Sequence, residues 1–192
     1  MVNWEERYQE HDTPWEKGQP APPLRAYLAQ TRIEGSVIAP GCGDGHDVRL
    51  LAGQGAHVLG VDVAPTAVKR AAGYPPVNGE TYRVADFLKL PGDLRDRFDW
   101  VYENTFFCAI HPDERPVYVE SVSRALRPGG RLFAVFFPRT GNPPGEGPPY
   151  PVDPAGIDAL FAGRFALRAR WVPAVGFPGR VGNEEIRLLE RI

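Results

Sequence analysis

This 192-residue sequence predicts an α/β fold, a doubly wound and mostly parallel sheet of about seven strands. Three observations predict it. Short apolar runs alternate with helical patterns, a glycine turn (Gly41-Cys42-Gly43-Asp44-Gly45) follows the first run, and a second run closes on an acid, Asp62. Alternation of strand and helix calls for right-handed crossovers and a sheet covered on both faces. In such sheets a ligand lies over the carboxyl ends of the strands, where glycines let the backbone come close to it, and an acid ending the second strand suits ribose hydroxyls. The turn therefore predicts a bound nucleoside, the plain alternative being an ordinary strand-to-helix connection.

The first strand begins at Ser36 and runs through Val37, Ile38 and Ala39. A helix over 44–54 follows, with Asp44 available as N-cap and Val48, Leu51 and Ala52 on one face, until Gly53 and Gly55 stop it. Residues 56–62 form the second strand. Pro65 suits the first turn of a helix whose Ala67, Val68, Ala71 and Ala72 face the sheet up to Gly73. Strands over 82–85 and 98–103 come next, then a helix over 113–126 burying Tyr118, Val122, Ala125 and Leu126, ended by Arg127-Pro128-Gly129-Gly130. Residues 131–137 are apolar enough to be buried on both faces, as a central parallel strand requires. A short helix after Asp153-Pro154 carries Ile157, Leu160 and Phe161, and segments 165–175 and 184–191 make a C-terminal antiparallel hairpin.

Two segments fall outside this alternation. Residues 1–30 carry Trp4, Tyr8 and Trp15 ahead of Pro20, Pro22 and Pro23 and a helix over 23–30. The i, i+4 spacing puts Trp4 and Tyr8 on one face. That fits either a packed N-terminal helix or a helical lid whose rings shield a ligand and attract a cation, at about 0.5 to 2 kcal/mol per contact. The proline-rich stretch 138–154 is too long for a plain connection, and its stiffness suits a wall of fixed shape. Within it Pro148-Pro149-Tyr150 also has the form of a WW-domain ligand.

Composition fits one globular domain over residues 1–192, divided into the lid (1–30) and a core (31–192). Its 22 basic and 24 acidic residues are interspersed, so no stripe points to nucleic acid or an anionic membrane, and a small-molecule ligand is expected. Residues 1–7 lack the apolar core of a signal peptide, and the longest apolar run, 132–137, is too short to span a bilayer. A cytoplasmic monomer is expected. Cys42 and Cys108 are too few for a disulfide framework or zinc site, and His11, His46, His57 and His111 lack metal-ligand spacing, so no metal is expected.

Glycine spacing separates two cofactor classes. A dinucleotide fingerprint starting at Gly41 requires glycine at position 46, which is His46. The G-x-G-x-G spacing suits a ligand with no diphosphate to cradle, such as S-adenosylmethionine, and disfavours a nicotinamide oxidoreductase.

Six segments carry a resemblance: Trp4-Glu5-Glu6-Arg7-Tyr8, Thr13-Pro14-Trp15-Glu16-x-Gly18, Pro40-Gly41-Cys42-Gly43-x-Gly45, Asp86-Phe87, Thr105-Phe106-Phe107-Cys108-Ala109-Ile110 and Gly147-Pro148-Pro149-Tyr150. Together they resemble the thiopurine S-methyltransferase and thiol/halide methyltransferase family, closest to the thiol/halide branch, within the Rossmann-like S-adenosylmethionine-dependent enzymes. The resemblance implies S-adenosylmethionine, with S-adenosylhomocysteine as product. It is held by Trp4, Tyr8 and Trp15 of the lid, by Gly41, Gly43 and Gly45, by Asp62 at the ribose, and by Asp86, Phe87 and Asn104 around the nucleoside. Trp15, Asn104, Phe106, Phe107 and Tyr150 then border the acceptor, and Arg115 positions it. By itself Arg115 falls in the first turn of a helix, where the dipole does not favour a cation, so another partner is expected. Asn104 and Tyr8 depart from the tyrosine and tryptophan of the plant thiol/halide enzymes, and Ala64 stands where a serine often caps the next helix. The expected reaction is in-line displacement of a methyl group onto a small soft nucleophile: a thiol, bisulfide, thiocyanate or halide. A thiol of pKa near 8.5 is partly ionised at neutral pH, so a dedicated base is optional. The alternatives are a non-catalytic nucleoside-binding module and a methyltransferase for a larger or aromatic thiol.

Overall fold

The apolar runs become seven strands of one sheet in a computed structural model that describes residues 2–192. In chain order the elements are α1 (Trp4–Gln9), α2 (Pro22–Leu28), β1 (Ser36–Pro40), α3 (His46–Gly53), β2 (His57–Asp62), α4 (Pro65–Ala72), β3 (Thr81–Val84), β4 (Phe98–Asn104), α5 (Arg115–Ala125), β5 (Leu126–Phe136), α6 (Pro154–Phe161), β6 (Phe165–Trp171) and β7 (Glu185–Arg191). The strands lie in the order β3-β2-β1-β4-β5-β7-β6. The first five pair in parallel, and β7 is inserted antiparallel between β5 and β6. This is the Rossmann-like, doubly wound sheet with a C-terminal antiparallel hairpin. Strand order reverses between β1 and β4, and a crevice forms at such a switch point because the connections leaving its two strands part to opposite faces.

Neighbouring residues of a strand point to opposite faces, which divides the core into two layers. Ile38 and Leu132 pack with Tyr118 and Val122 of α5 and Ile157 and Phe161 of α6. Val37 and Phe133 turn the other way, against Leu24 of α2 and Val48 and Leu51 of α3. The longest helix has 11 residues, too short to be stable alone, whereas burying one large apolar side chain contributes about 1.5 to 3 kcal/mol. Packing therefore holds the helices.

Several boundaries differ from expectation for local reasons. Asp44 does not cap α3. Gly45 stands at the N-cap at φ 75°, and a Cβ there would meet the Tyr82 ring at 2.7 Å and Ala71 at 3.0 Å. The third glycine serves close packing, and the helix starts at His46. On α4, Ala67 and Ala71 are buried, but Val68 is half-buried and Ala72 exposed, because the helix lies at the sheet's edge with α1 packed across it. Residues 112–114 form a 3₁₀ turn capped by the His111 ring, so α5 begins at Arg115. Leu126 belongs to β5, pairing with Phe98 before a register shift, and the turn at 127–130 lies within that strand. No helix among the described residues is long and apolar enough to cross a membrane.

In the N-terminal segment α1 packs on α4, and Trp4, Tyr8 and Trp15 line the crevice. Ala64 gives α4 no side-chain cap. Glu5 of α1 supplies one from 61 residues away, accepting hydrogen bonds from Thr66 N at 2.9 Å and Thr66 Oγ1 at 2.6 Å. Arg70 of α4 answers by donating to the Tyr8 carbonyl at 2.7 Å. Replacing Glu5 by Ala is expected to uncap α4 and untie α1 together. Amide exchange should quicken both at Thr66 and across α1 while β4 stays protected, and quickening at only one end would show that the two are not tied.

Candidate active site

Over the switch point lies a cleft of about 960 Å³, which shares Trp15, Gly41 and Thr105 as walls with a recess of about 70 Å³ behind the glycine turn. Trp4, Tyr8 and Trp15 roof the cleft, Asp62 stands at the end of β2, and Asp86 and Phe87 follow β3. Gly41, Gly43, Gly45 and Asn104 line the recess. The cleft's far wall comes from Phe106, Cys108 and Ile110 after β4 and from Pro148, Pro149 and Tyr150 of the proline-rich loop.

Asp62 is a buried carboxylate with two backbone partners. One oxygen accepts from Gly43 N at 3.0 Å and the other from Ala64 N at 2.9 Å, which draws together the turns after β1 and β2. Burial raises its pKa, against those two hydrogen bonds. Each carboxylate oxygen can accept a further hydrogen bond, so the group remains able to receive ribose hydroxyls. Gly41 is forced by a close approach, because a Cβ would lie 2.5 Å from Phe106. Behind the turn, Asp47 is half-buried and accepts from Ala21 N at 2.7 Å, Tyr102 Oη at 2.8 Å and Asn104 Nδ2 at 3.2 Å. Asn104 thus borders the recess with its amide tied inward. Asp86 caps the turn after it by accepting from Leu88 N, leaving Phe87 edge-on to Phe106 at 6.1 Å.

The lid's indoles already engage a cation of their own segment. Arg7 lines the cleft with its guanidinium 4.5 Å from the Trp15 ring centre and 5.7 Å from that of Trp4, while Trp15 donates to Tyr8 Oη at 3.0 Å. Burial, with Asp62 nearby, pushes the Tyr8 phenol up, so it stays neutral.

Two predicted residues lie elsewhere. Thr105 adopts φ 65°, a left-handed conformation rare for a β-branched residue, and the rings on either side of the next peptide part. Phe106 faces the cleft, but Phe107 enters the core, 5.5 Å from Tyr118 and 5.0 Å from Phe136, and is no acceptor wall. Arg115 does not line the cleft either. It is buried over the Phe107 ring and donates to the carbonyls of Tyr150 at 3.0 Å and Pro151 at 3.2 Å, holding the proline-rich loop in place. Its guanidinium thereby fixes the backbone of Tyr150.

Sequence reasoning missed Asp47, Arg180 and Glu103. Arg180 comes from the Gly/Pro-rich connection between β6 and β7, reaches the cleft, and pairs with Glu184 at 3.3 Å. Glu103 sits wholly buried on β4, one oxygen accepting from the amides of Phe106 and Phe107. Only an acid within an otherwise apolar strand could have signalled it. Cys108 lines the cleft as a neutral thiol, burial pushing it up to about 12.

A crevice of this build belongs to an enzyme that binds a nucleoside-bearing cofactor at a sheet's switch point. A solved structure concerned with "conversion of a disulfide bond into a thioacetal group during echinomycin biosynthesis" shares the fold with a TM-score of 0.76 and 25% identity, over 93% of this chain and 85% of that one. Two relatives from Arabidopsis thaliana are each 35% identical: thiocyanate methyltransferase 1, over 98% of this chain and 84% of its own length, and probable thiol methyltransferase 2, over 74% and 66%. The chain belongs to the thiopurine S-methyltransferase family, whose model matches residues 1–172. It is an S-adenosylmethionine-dependent methyltransferase acting on a small molecule.

The residues present fit that cofactor. The cradle at Gly41 leaves the backbone bare, Asp62 retains acceptor capacity, and Phe87 and the indoles offer ring faces. Asp62→Ala is expected to weaken S-adenosylhomocysteine binding at least about tenfold, the scale of a lost charge-assisted hydrogen bond. It should also lower thermal stability, since Gly43 N and Ala64 N lose their acceptor. Unchanged affinity by calorimetry would remove Asp62 from the site. A second pair separates wall from core: Phe106→Leu should raise the acceptor KM with little change in melting temperature, and Phe107→Leu should do the reverse.

Proposed function

We propose that the protein moves the methyl group of S-adenosylmethionine onto a small soft nucleophile, a thiolate, bisulfide, thiocyanate or halide. The observation that carries this reading is a guanidinium, Arg180, in a largely apolar cleft where the imidazole and each carboxylate already hold a hydrogen-bond partner of the chain's own. His111 spends its Nδ1 lone pair accepting from Asp113 N, and Glu114 accepts from His111 N. Asp86 pairs with Lys89, and Asp62 holds two amides. An acceptor that arrives as an anion needs no base, and a cation in a dry cleft favours it. The names of the two plant relatives support the same chemistry.

When bound, S-adenosylmethionine supplies a methyl group activated by the positive charge on its sulfur. This chain's residues then have three tasks. Asp62, Asp86 and Phe87 hold the nucleoside, while Trp4, Tyr8 and Trp15 close the roof and keep water out. Phe106 and Tyr150 confine the acceptor, and Arg180 draws its negative charge. Fixing the two partners in a near-attack arrangement supplies several kcal/mol of the barrier reduction. The cleft volume of about 960 Å³ also supports a larger or aromatic thiol as acceptor. A cytoplasmic monomer without nucleic-acid partners completes the proposal, supported by the interspersed charge and two free cysteines.

Incubation with S-adenosylmethionine and iodide, bromide, bisulfide, thiocyanate, a small thiol or an aromatic thiol should give methylated product with several of the small anions. Turnover with the aromatic thiol alone would favour the larger acceptor. No turnover with any, despite tight S-adenosylhomocysteine binding, would mark a non-catalytic binding module.

A further inference from the structure

The roof of the cleft carries a cation of its own, and S-adenosylmethionine brings another. Each aromatic ring of that roof has an arginine of this chain against it. Arg7 stands 4.5 Å from the centre of the Trp15 ring and 5.7 Å from that of Trp4, and Arg70 stands 5.5 Å from that of Tyr8. Of the two, Arg7 alone lines the cleft. Arg70 donates instead to the Tyr8 carbonyl at 2.7 Å.

Arg7 is fixed where it stands. Its Nε donates to Asp12 Oδ2 at 2.9 Å, and Asp12 N donates back to the Arg7 carbonyl at 2.9 Å across a turn in which His11 takes φ 58°. The Arg7 side chain is 24% exposed and that of Asp12 59%, so solvent screens the carboxylate more than the guanidinium held against the indoles. Trp15 has only its ring faces left for a ligand. Its N–H donates to Tyr8 Oη at 3.0 Å, and it makes edge contacts with the Trp4 and Tyr8 rings at 5.3 and 5.7 Å. A second cation at this ring meets either Arg7 itself or π electrons that Arg7 already polarises from the other side.

We propose that Arg7 is a cofactor-discriminating residue: its fixed positive charge at the roof sets the site against the sulfonium of S-adenosylmethionine and in favour of the neutral S-adenosylhomocysteine. The inference rests on the reading above that the cofactor lies beneath this roof. Arginine keeps its charge across the physiological pH range, so the bias is permanent. Like charges sharing a partly enclosed roof repel, and a ligand without charge escapes that cost. Methyl transfer ends the conflict. The electron pair of the broken carbon–sulfur bond stays on sulfur, which becomes neutral, while the acceptor's pair forms the new bond to carbon. Arg7 thus opposes the cofactor before transfer and not after it, and the repulsion is relieved in the direction of the reaction.

Calorimetry with S-adenosylhomocysteine, S-adenosylmethionine and sinefungin, which carries an ammonium group in place of the sulfonium, reads the charge directly. Loosening of the roof changes all three affinities alike and cancels in their ratios. Arg7→Gln should raise the affinity for S-adenosylmethionine relative to S-adenosylhomocysteine about tenfold, with sinefungin following S-adenosylmethionine. Arg7→Lys keeps the charge and should leave both ratios near native. Ratios unchanged in Arg7→Gln, a shift toward the neutral ligand, or Arg7→Lys behaving as Arg7→Gln would each overturn the inference. Trp15→Leu separates this from the reading beneath it. Affinities that Trp15→Leu leaves unchanged would overturn the placement of the cofactor beneath the roof, and the inference with it. Weakened binding in Trp15→Leu together with unchanged ratios in Arg7→Gln would overturn the inference alone.

Discussion

A crevice built from loop ends must be dry for its chemistry, yet loop backbone is full of N–H groups that need partners, and this constraint organises the molecule. Each buried amide left without an acceptor costs about 1 to 3 kcal/mol. Here carboxylates, buried at Asp62 and Glu103 and half-buried at Asp47 and Glu5, take the place of water. Asp62 holds Gly43 and Ala64, Asp47 holds Ala21, Glu103 holds Phe106 and Phe107, and Glu5 holds Thr66. Apart from the local Asp62–Ala64 bond, each of these ties joins segments distant in the chain or fixes the loop after β4 at the cleft wall. The site and the stability of its surroundings are thereby the same set of hydrogen bonds.

Charge is arranged around those ties in a consistent way. Glu5, Asp62, Asp86 and Glu114 line the cleft with their carboxylates held by hydrogen bonds within the chain, and two guanidinium groups, Arg7 and Arg180, stand at its walls. Arg115 is the instructive contrast. A buried cation of this kind needs carbonyl or carboxylate partners, and it finds them in Tyr150 and Pro151, so its effect on an acceptor passes through the backbone of the loop it anchors. Arg7, stacked on Trp15, shows an indole face of the N-terminal segment engaged by a cation.

Much of this was legible in the sequence. The alternation of apolar runs with helical patterns marks all seven strands, because a doubly wound sheet must bury its central strands on both faces. The glycine turn and the acid at Asp62 mark the crevice, since few residue types can stand where a backbone meets a nucleoside. Misreadings have local causes. Gly45 was needed for contact with Tyr82 and Ala71, which moved the start of α3 past Asp44. Phe106 and Phe107 are identical neighbours in sequence, and only the left-handed turn at Thr105 sends one to the cleft and the other to the core.

The sequence by itself determined the fold class, the crevice at the strand ends and the family, because these depend on periodicity and on short motifs whose residues are close along the chain. Tertiary structure alone decided which charges reach the cleft. Glu5 caps a helix 61 residues away, Arg180 arrives from a connection with no regular pattern, and Glu103 lies under a wall formed by its own loop. Electrostatic partners are chosen by proximity in space and by burial, and neither is written in the order of residues.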